Sequence, residues 1–147
     1  MCVELIGIIK QDWGWAGLVA EQIVGDNEFG NLMIKDVDGA YWRLCPEDLY
    51  CRQVAHSRAE LDQLSRDQEF LQDWTMRELV AEARERLGPL PPDRKYCLKI
   101  PGPLGGEYGG DNLATLSLHE LISVSGHIAR QIEDLPDGAQ VVLKVVD

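Results

Sequence analysis

The three histidines, His56, His119 and His127, are the side chains best suited to acid–base catalysis or to binding a metal ion. Although His119 precedes Glu120, the sequence lacks the H-E-x-x-H spacing that brings two histidines to one zinc ion. If both lie on one helix, His119 and His127 are about 12 Å apart, which is too far to share a metal. The histidines therefore predict no metal site and no catalytic base.

A glycine-rich segment, residues 101–112, has a composition that suits phosphate binding, because glycines let backbone N–H groups approach an anion. It lacks both the G-K-[ST] ending of a P-loop and the G-x-G-x-x-G order of a dinucleotide site. We expect a conformationally demanding loop that closes over a sheet. The alternative is a small-molecule sensor or an enzyme that uses residues 102–112, with a pocket beneath them and a titratable residue of perturbed pKa such as His119 or Cys97.

The remaining nucleophiles form no catalytic group. The four cysteines have no zinc-binding spacing and are expected to be reduced and mostly packed as small apolar residues: Cys2, Cys45, Cys51 and Cys97. Ser57 and Ser117 each stand three residues before a glutamate, which is typical of a helix-capping box rather than of a nucleophile. The sequence therefore predicts a protein that is not an enzyme and that needs no cofactor or metal.

Charge points instead to a protein partner. The chain has a formal net charge of −11, with a net −5 in residues 11–42 and another −5 in residues 101–147. Such acidity disfavours binding to nucleic acid or to an anionic membrane, and it suits a basic protein partner, although solubility alone also explains it. We expect partner binding through exposed acidic and aromatic residues near loop tips: Asp36, Asp38, Glu47, Asp48, Glu107, Tyr108 and Asp111.

The sequence pattern predicts a single α+β domain spanning residues 1–147, in which a mainly antiparallel sheet of five to six strands packs against two or three amphipathic helices. The clearest signal is a hairpin, with strands at 31–36 and 40–45 joined through Asp38-Gly39. Strands at 20–25 and 49–55 extend it into a meander. Later strands are expected at 95–100, 113–116 and 140–146.

Helices are expected before and after the meander in the chain. A short amphipathic helix fits residues 3–13, and a capping box at Ser57 opens a second one that ends near Leu64. Apolar spacing predicts one long helix over 67–87 and another over 118–132. Trp42 and Trp74 are expected in the core, whereas Trp13 and Trp15 fit either the core or a binding hot spot. No apolar run is long enough to span a bilayer and no signal peptide is apparent, so we expect a cytoplasmic protein.

One part of the sequence resembles a known family. The motif residues Gly88-Pro89-Leu90, Tyr96, Leu104-Gly105-Gly106 and Asn112-Leu113 precede an amphipathic helix, and Phe29-Gly30-Asn31-Leu32 opens the hairpin. This pattern, over residues 27–45 and 87–132, is similar to the C-terminal domain of bacterial immunity proteins against type VI secretion DNase toxins. The resemblance implies a non-catalytic module that binds and blocks a secreted toxin, with a nuclease as one candidate.

A separate alternative, which does not depend on the resemblance, is a structural homodimer joined through an exposed hairpin or strand edge.

Overall fold

The computed structural model describes residues 2–133 and 135. Its elements, in chain order, are α1 (Cys2–Trp13), β1 (Ala20–Asp26), β2 (Leu32–Asp36), β3 (Tyr41–Cys45), β4 (Tyr50–Ala55), α2 (Arg58–Leu64), α3 (Gln68–Thr75), α4 (Arg77–Leu87), β5 (Arg94–Leu98), β6 (Leu113–Ser117) and α5 (Leu118–Ile132). This arrangement confirms the α+β class. None of the described helices is long and apolar enough to cross a membrane.

The first four strands form the expected antiparallel meander, in the order β1-β2-β3-β4. The hairpin between β2 and β3 turns where Asp36 accepts hydrogen bonds from the backbone N–H groups of Asp38 and Ala40, both at 2.9 Å. Gly39 takes the positive φ, 87°, that this turn requires. The hairpin prediction is therefore confirmed.

Helices cover both faces of this sheet, which is why β2 is apolar and buried on both sides. Leu32, Ile34 and Leu44 share a core with Leu5 and Ile9 of α1 and with Ile122 of α5. The alternate side chains, Met33 and Tyr41, share a second core with Leu61, Phe70 and Trp74 of α2 and α3. Two separate helical layers thus pack on one small sheet.

The later strands do not join the meander by strand pairing. Strands β5 and β6 form a separate two-stranded antiparallel sheet, so the six described strands divide four and two. The β5–β6 hairpin is attached near the end of β1, where Tyr96 N donates to Glu28 O at 2.9 Å and Lys95 Nζ pairs with Asp26 at 2.7 Å. With α4 it encloses its own core around Phe29, Tyr96 and Ala83. The strand expected at 140–146 lies outside the described residues.

The long helix expected over 67–87 is wrong: the structure has two helices, α3 and α4, that meet at Met76. Met76 is left-handed, with φ 50° and ψ 40°, although the sequence has no glycine or proline there. Because α3 packs on the four-stranded sheet and α4 on the β5–β6 hairpin, one straight helix cannot reach both cores. Asn27 stabilises the break by donating to Trp74 O at 2.8 Å, at the open end of α3.

Helices α1 and α5 pack closely because Gly126 of α5 leaves room for the α1 backbone. A Cβ at residue 126 would lie only 2.5 Å from Asp12 O, so a larger residue could not be accommodated without a shift. Trp13 is fully buried beside it and donates from Nε1 to Ile122 O at 2.9 Å. Trp13 is therefore a core residue, and Trp15 stacks on it with ring centroids 5.7 Å apart.

Candidate functional site

The glycine-rich segment folds into a compact loop of two short 3-10 turns, Gly102–Leu104 and Gly110–Asn112. Asn112 holds the loop closed: its Nδ2 donates to Ile100 O at 2.9 Å and to Glu107 O at 2.7 Å, and its Oδ1 accepts from Ile100 N at 2.9 Å. Gly106 permits the closure, because a Cβ at this position would lie 1.7 Å from Ile100 O. The Asn112 side chain thus closes the loop onto its own first residues.

Two contacts fix the loop to the corner between β3 and β4. Gly102 N donates to Glu47 O at 2.9 Å, and the Tyr108 hydroxyl donates to Asp48. Burial and the hydrogen bond to Asp48 both raise the pKa of Tyr108, so its hydroxyl stays protonated and remains a donor. The Tyr108 side chain packs against Gly102: a Cβ at residue 102 would lie only 1.8 Å from the Tyr108 hydroxyl oxygen.

A third contact fixes the other end of the loop to α4. Glu82 accepts a hydrogen bond from Gly110 N at 2.6 Å and pairs with Arg86 at 3.2 Å. Arg86 also reaches Asp111 at 3.5 Å. The loop is therefore anchored between the four-stranded sheet and α4, rather than hinged over an opening.

Four of the seven side chains expected to bind a partner come together here. Glu107, Tyr108 and Asp111 are exposed, Tyr108 by 51%, and Asp48 is partly exposed beside them. We call these four residues the loop surface. Ile100, also exposed, adds a second apolar side chain at its edge. The loop surface thus places an aromatic residue among carboxylates, and this arrangement is suited to binding a cationic or amphipathic surface.

The expected exposure of Glu47 is wrong. Its side chain is only 4% exposed, and it accepts hydrogen bonds from Asn31 Nδ2 at 2.5 and 3.0 Å and from Cys45 Sγ at 3.0 Å. Burial raises the pKa of this carboxyl, against the opposing effect of the Asn31 and Cys45 hydrogen bonds. Adjacent residues at a corner point in different directions, so Asp48 faces outward while Glu47 faces inward.

Asp36 is also buried, at 7% exposure, and is not available at a loop tip as expected. Besides closing its turn, it accepts a hydrogen bond from Trp42 Nε1 at 2.9 Å. Burial opposes ionisation, but the bonds from Trp42 and the turn amides outweigh it and lower the pKa of Asp36. Its neighbour Asp38 is exposed, but the five residues of β3 separate that turn from the Asp48 corner by about 17 Å.

Sequence reasoning missed two buried polar residues that support the corner. Arg43 Nε donates to Asn31 Oδ1 at 3.0 Å, and its Nη1 pairs with Asp73 of α3. The guanidinium also lies 5.2 Å from the centre of the Trp74 ring. Because side chains alternate along a strand, Arg43 lies on the same face of β3 as the buried Tyr41, and this spacing could have predicted that Arg43 is buried. Asn31 links Arg43 to Glu47 and so connects α3 to the corner.

The two residues named for the sensor or enzyme alternative, His119 and Cys97, lie in α5 and β5, and the other histidines form no catalytic group with them. His127 pairs with Asp12 between α1 and α5 at 3.1 Å, and His56 is exposed. Burial raises the pKa of Cys97 to about 11, which keeps this thiol protonated and weakly nucleophilic. No group of three metal-binding side chains occurs among the described residues.

The sensor or enzyme alternative requires a pocket beneath the loop. Three pockets of the described structure lie at the α3–α4 junction, between α1 and α5, and between β1 and β5, and residues outside 102–112 line all three. The loop itself is hydrogen-bonded to the corner and to α4. This geometry favours the expectation of a demanding but closed loop.

Comparison with known proteins agrees with the resemblance seen in the sequence. Residues 55–129 match the protein family described as "T6SS immunity protein Tdi1, C-terminal", where T6SS denotes the type VI secretion system. No curated protein matches the chain. The matched range runs from the end of β4 into α5 and includes the whole glycine-rich loop, whereas the hairpin at 32–45 lies outside it. Because the match covers just over half of the sequence, the chain belongs to the family of type VI secretion immunity proteins typified by the C-terminal domain of Tdi1.

Proposed function

We propose that this chain neutralises a cognate secreted toxin by binding it through the loop surface, without catalysing a reaction. Family membership supports the immunity role, and the matched residues include Glu107, Tyr108 and Asp111. The observation that carries the choice of surface is the anchored position of Tyr108, exposed among carboxylates and bonded to Asp48.

Anchoring at three points favours tight binding. The Asn112 closure, the Glu47 and Asp48 contacts and the Glu82 contact fix the loop before any partner arrives. A surface that is already ordered loses less conformational entropy when it binds, so more of the contact energy appears as affinity. An exposed aromatic residue in such a setting is typical of an interface hot spot.

The partner is a basic protein in this proposal, and a nuclease fits it well. A nuclease needs cationic side chains to hold a phosphate backbone, and a protein with a net charge of −11 is attracted to them. Electrostatic attraction between oppositely charged surfaces increases the association rate, and salt weakens this attraction. Binding near the cationic substrate site would exclude the nucleic acid.

The experiment is to express the chain with the secreted effector encoded next to it and to measure affinity by calorimetry and kinetics by surface plasmon resonance. We expect Tyr108→Ala and the double variant Glu107→Gln/Asp111→Asn each to weaken binding at least tenfold. The double variant should do so mainly through the association rate and mainly at low salt. The matched control is Glu4→Gln/Glu69→Gln, which removes two exposed charges from α1 and α3 and should leave affinity unchanged.

Two results would contradict the proposal at different levels. If the wild-type chain does not bind the effector or protect cells that express it, the immunity assignment to that toxin fails. If it binds and both loop-surface variants behave like the control, the immunity role stands and the loop surface is wrong. Asp38→Asn then tests the opposite end of the sheet. A nuclease assay with and without the chain decides whether the inhibited activity is DNA cleavage.

A further inference from the structure

A pocket of about 470 Å³ lies between the outer edge of β1 and the start of β5, away from the loop surface. Its apolar part includes Leu5 of α1, Ile23 of β1, Leu32 of β2 and Leu118 of α5. Tyr96 N of β5 donates to Glu28 O just after β1, and Val24 of β1 and Arg94 of β5 line the pocket. Its volume is within the range of small-molecule sites.

Arg94 lines this pocket and is a positively charged residue with a fixed side-chain position. Its Nε and Nη2 donate to Thr115, at 3.1 Å and 2.9 Å to Oγ1 and at 2.8 Å to the backbone oxygen, so the guanidinium is held in place. It forms an ion pair with none of the acidic residues in the described part of the chain.

Two acidic residues, Asp26 and Asp93, and two basic residues, Arg94 and Lys95, line the pocket together with His119. Lys95 is already paired with Asp26 at 2.7 Å. Asp93 is exposed in the turn before β5. His119 also lines the pocket, and its Nε2 is buried without a hydrogen-bond partner among the described residues. His119 lies in the first turn of α5, a 15-residue helix whose amino-terminal dipole favours an anion.

We propose that this pocket binds a small monocarboxylate with an apolar tail, the carboxylate meeting Arg94 and the tail lying on Leu5, Ile23 and Leu118. Thr115 takes the Nε–Nη2 edge of the guanidinium, and the N–H groups that remain on Nη1 and Nη2 can donate to the two oxygens of a carboxylate. The apolar walls would add affinity through the hydrophobic effect, so a carboxylate with an apolar tail should bind more tightly than one without a tail. This site is independent of the toxin-binding proposal.

The test uses octanoate as the probe and the full-length, ¹⁵N-labelled chain. We expect saturable amide shifts centred on Val24, Gly25, Arg94 and His119. Acetate, which lacks the tail, and octanol, which lacks the charge, should each bind at least tenfold more weakly. Arg94→Gln should weaken octanoate at least tenfold, whereas Arg52→Gln, an exposed arginine on β4, should leave it unchanged.

A second variant keeps the proposal testable if Arg94→Gln fails to fold. Val24 is exposed on the pocket wall, so Val24→Asp should fold normally and repel the carboxylate, again weakening octanoate at least tenfold. The proposal is overturned if octanoate causes no saturable shifts, if the shifts centre on another region, or if acetate or octanol binds as well as octanoate. It is also overturned if Val24→Asp binds octanoate like the wild type.

Discussion

The Tyr108 hydroxyl donates a hydrogen bond to the Asp48 carboxylate, joining two residues that are 60 positions apart in the chain. This bond connects the glycine-rich loop to the corner after β3 and holds the aromatic ring of the loop surface against Gly102. Since Asp48 is supported from inside by the buried group of Glu47, Asn31 and Arg43, the position of Tyr108 depends on the core as well as on the loop.

Tyr108→Phe should lower the free energy of unfolding by about 1 kcal/mol or less, because one partly exposed hydrogen bond is lost and the ring is kept. Hydrogen–deuterium exchange in residues 102–110 should become faster, and toxin affinity should fall less than in Tyr108→Ala. Unchanged exchange in the Phe variant would mean that the bond to Asp48 does not order the loop.

Gly126→Ala should destabilise the protein by about 1 to 3 kcal/mol, because the new methyl group would lie 2.5 Å from Asp12 O and 2.9 Å from Trp13 Nε1. Gly7→Ala is the matched control, since this helical glycine has no neighbouring atom within 4 Å of an added Cβ. The control should stabilise the protein by about 0.5 to 1 kcal/mol. Urea unfolding of both variants measures the contrast, and equal effects would refute the close α1–α5 approach.

Glu47→Gln should become more favourable relative to the wild type as pH rises above about 4.5 and through the raised folded-state pKa of Glu47. The folded-state pKa of Glu47 is raised above its usual 4.5, so ionisation costs the folded protein stability, and that cost grows as pH rises through this window. Glutamine removes the ionisation and can still accept from Asn31. Urea unfolding at several pH values measures the difference, and a pH-independent difference would contradict the buried carboxyl.

Asp36→Asn should show the opposite dependence. The folded-state pKa of Asp36 is lowered, so its carboxylate stabilises the protein above the usual value of 3.8, and this contribution is lost as pH falls through the folded-state pKa. The variant should therefore be less stable than the wild type near neutral pH and approach it in acid. Asp38→Asn, an exposed change in the same turn, should have little effect at either pH.

Asn27→Ala should destabilise the protein by about 2 kcal/mol or more, because one side chain makes three hydrogen bonds that are not replaced. Asn27 accepts from Phe29 N at 3.0 Å and Asn31 N at 2.9 Å and donates to Trp74 O at 2.8 Å. Gln22→Ala, an exposed change on β1, is the control and should change stability by less than about 0.5 kcal/mol. A small effect at Asn27 would show that it does not stabilise the break at Met76.

Local sequence alone determined much of this protein. The Asp38-Gly39 hairpin, the meander and the starts of α2 and α5 were predictable, because turn and capping residues act on their immediate neighbours: Ser57 and Ser117 accept from Glu60 N and Glu120 N, each at 3.2 Å. The acidic charge, the absence of a catalytic motif and the family resemblance were also readable from the residues. So was the grouping of Glu107, Tyr108 and Asp111, which lie within five positions of one another.

Tertiary structure decided the rest, because burial and long-range contacts depend on which surfaces meet. Glu47 and Asp48 are adjacent acidic residues that the sequence does not distinguish, yet Glu47 is buried and Asp48 is partly exposed. Met76 ends a helix whose pattern continues through it, because α3 and α4 pack in different cores. The Asp48–Tyr108 contact and the position of Arg94 beside a pocket with apolar walls likewise arise only when segments distant in the chain come together.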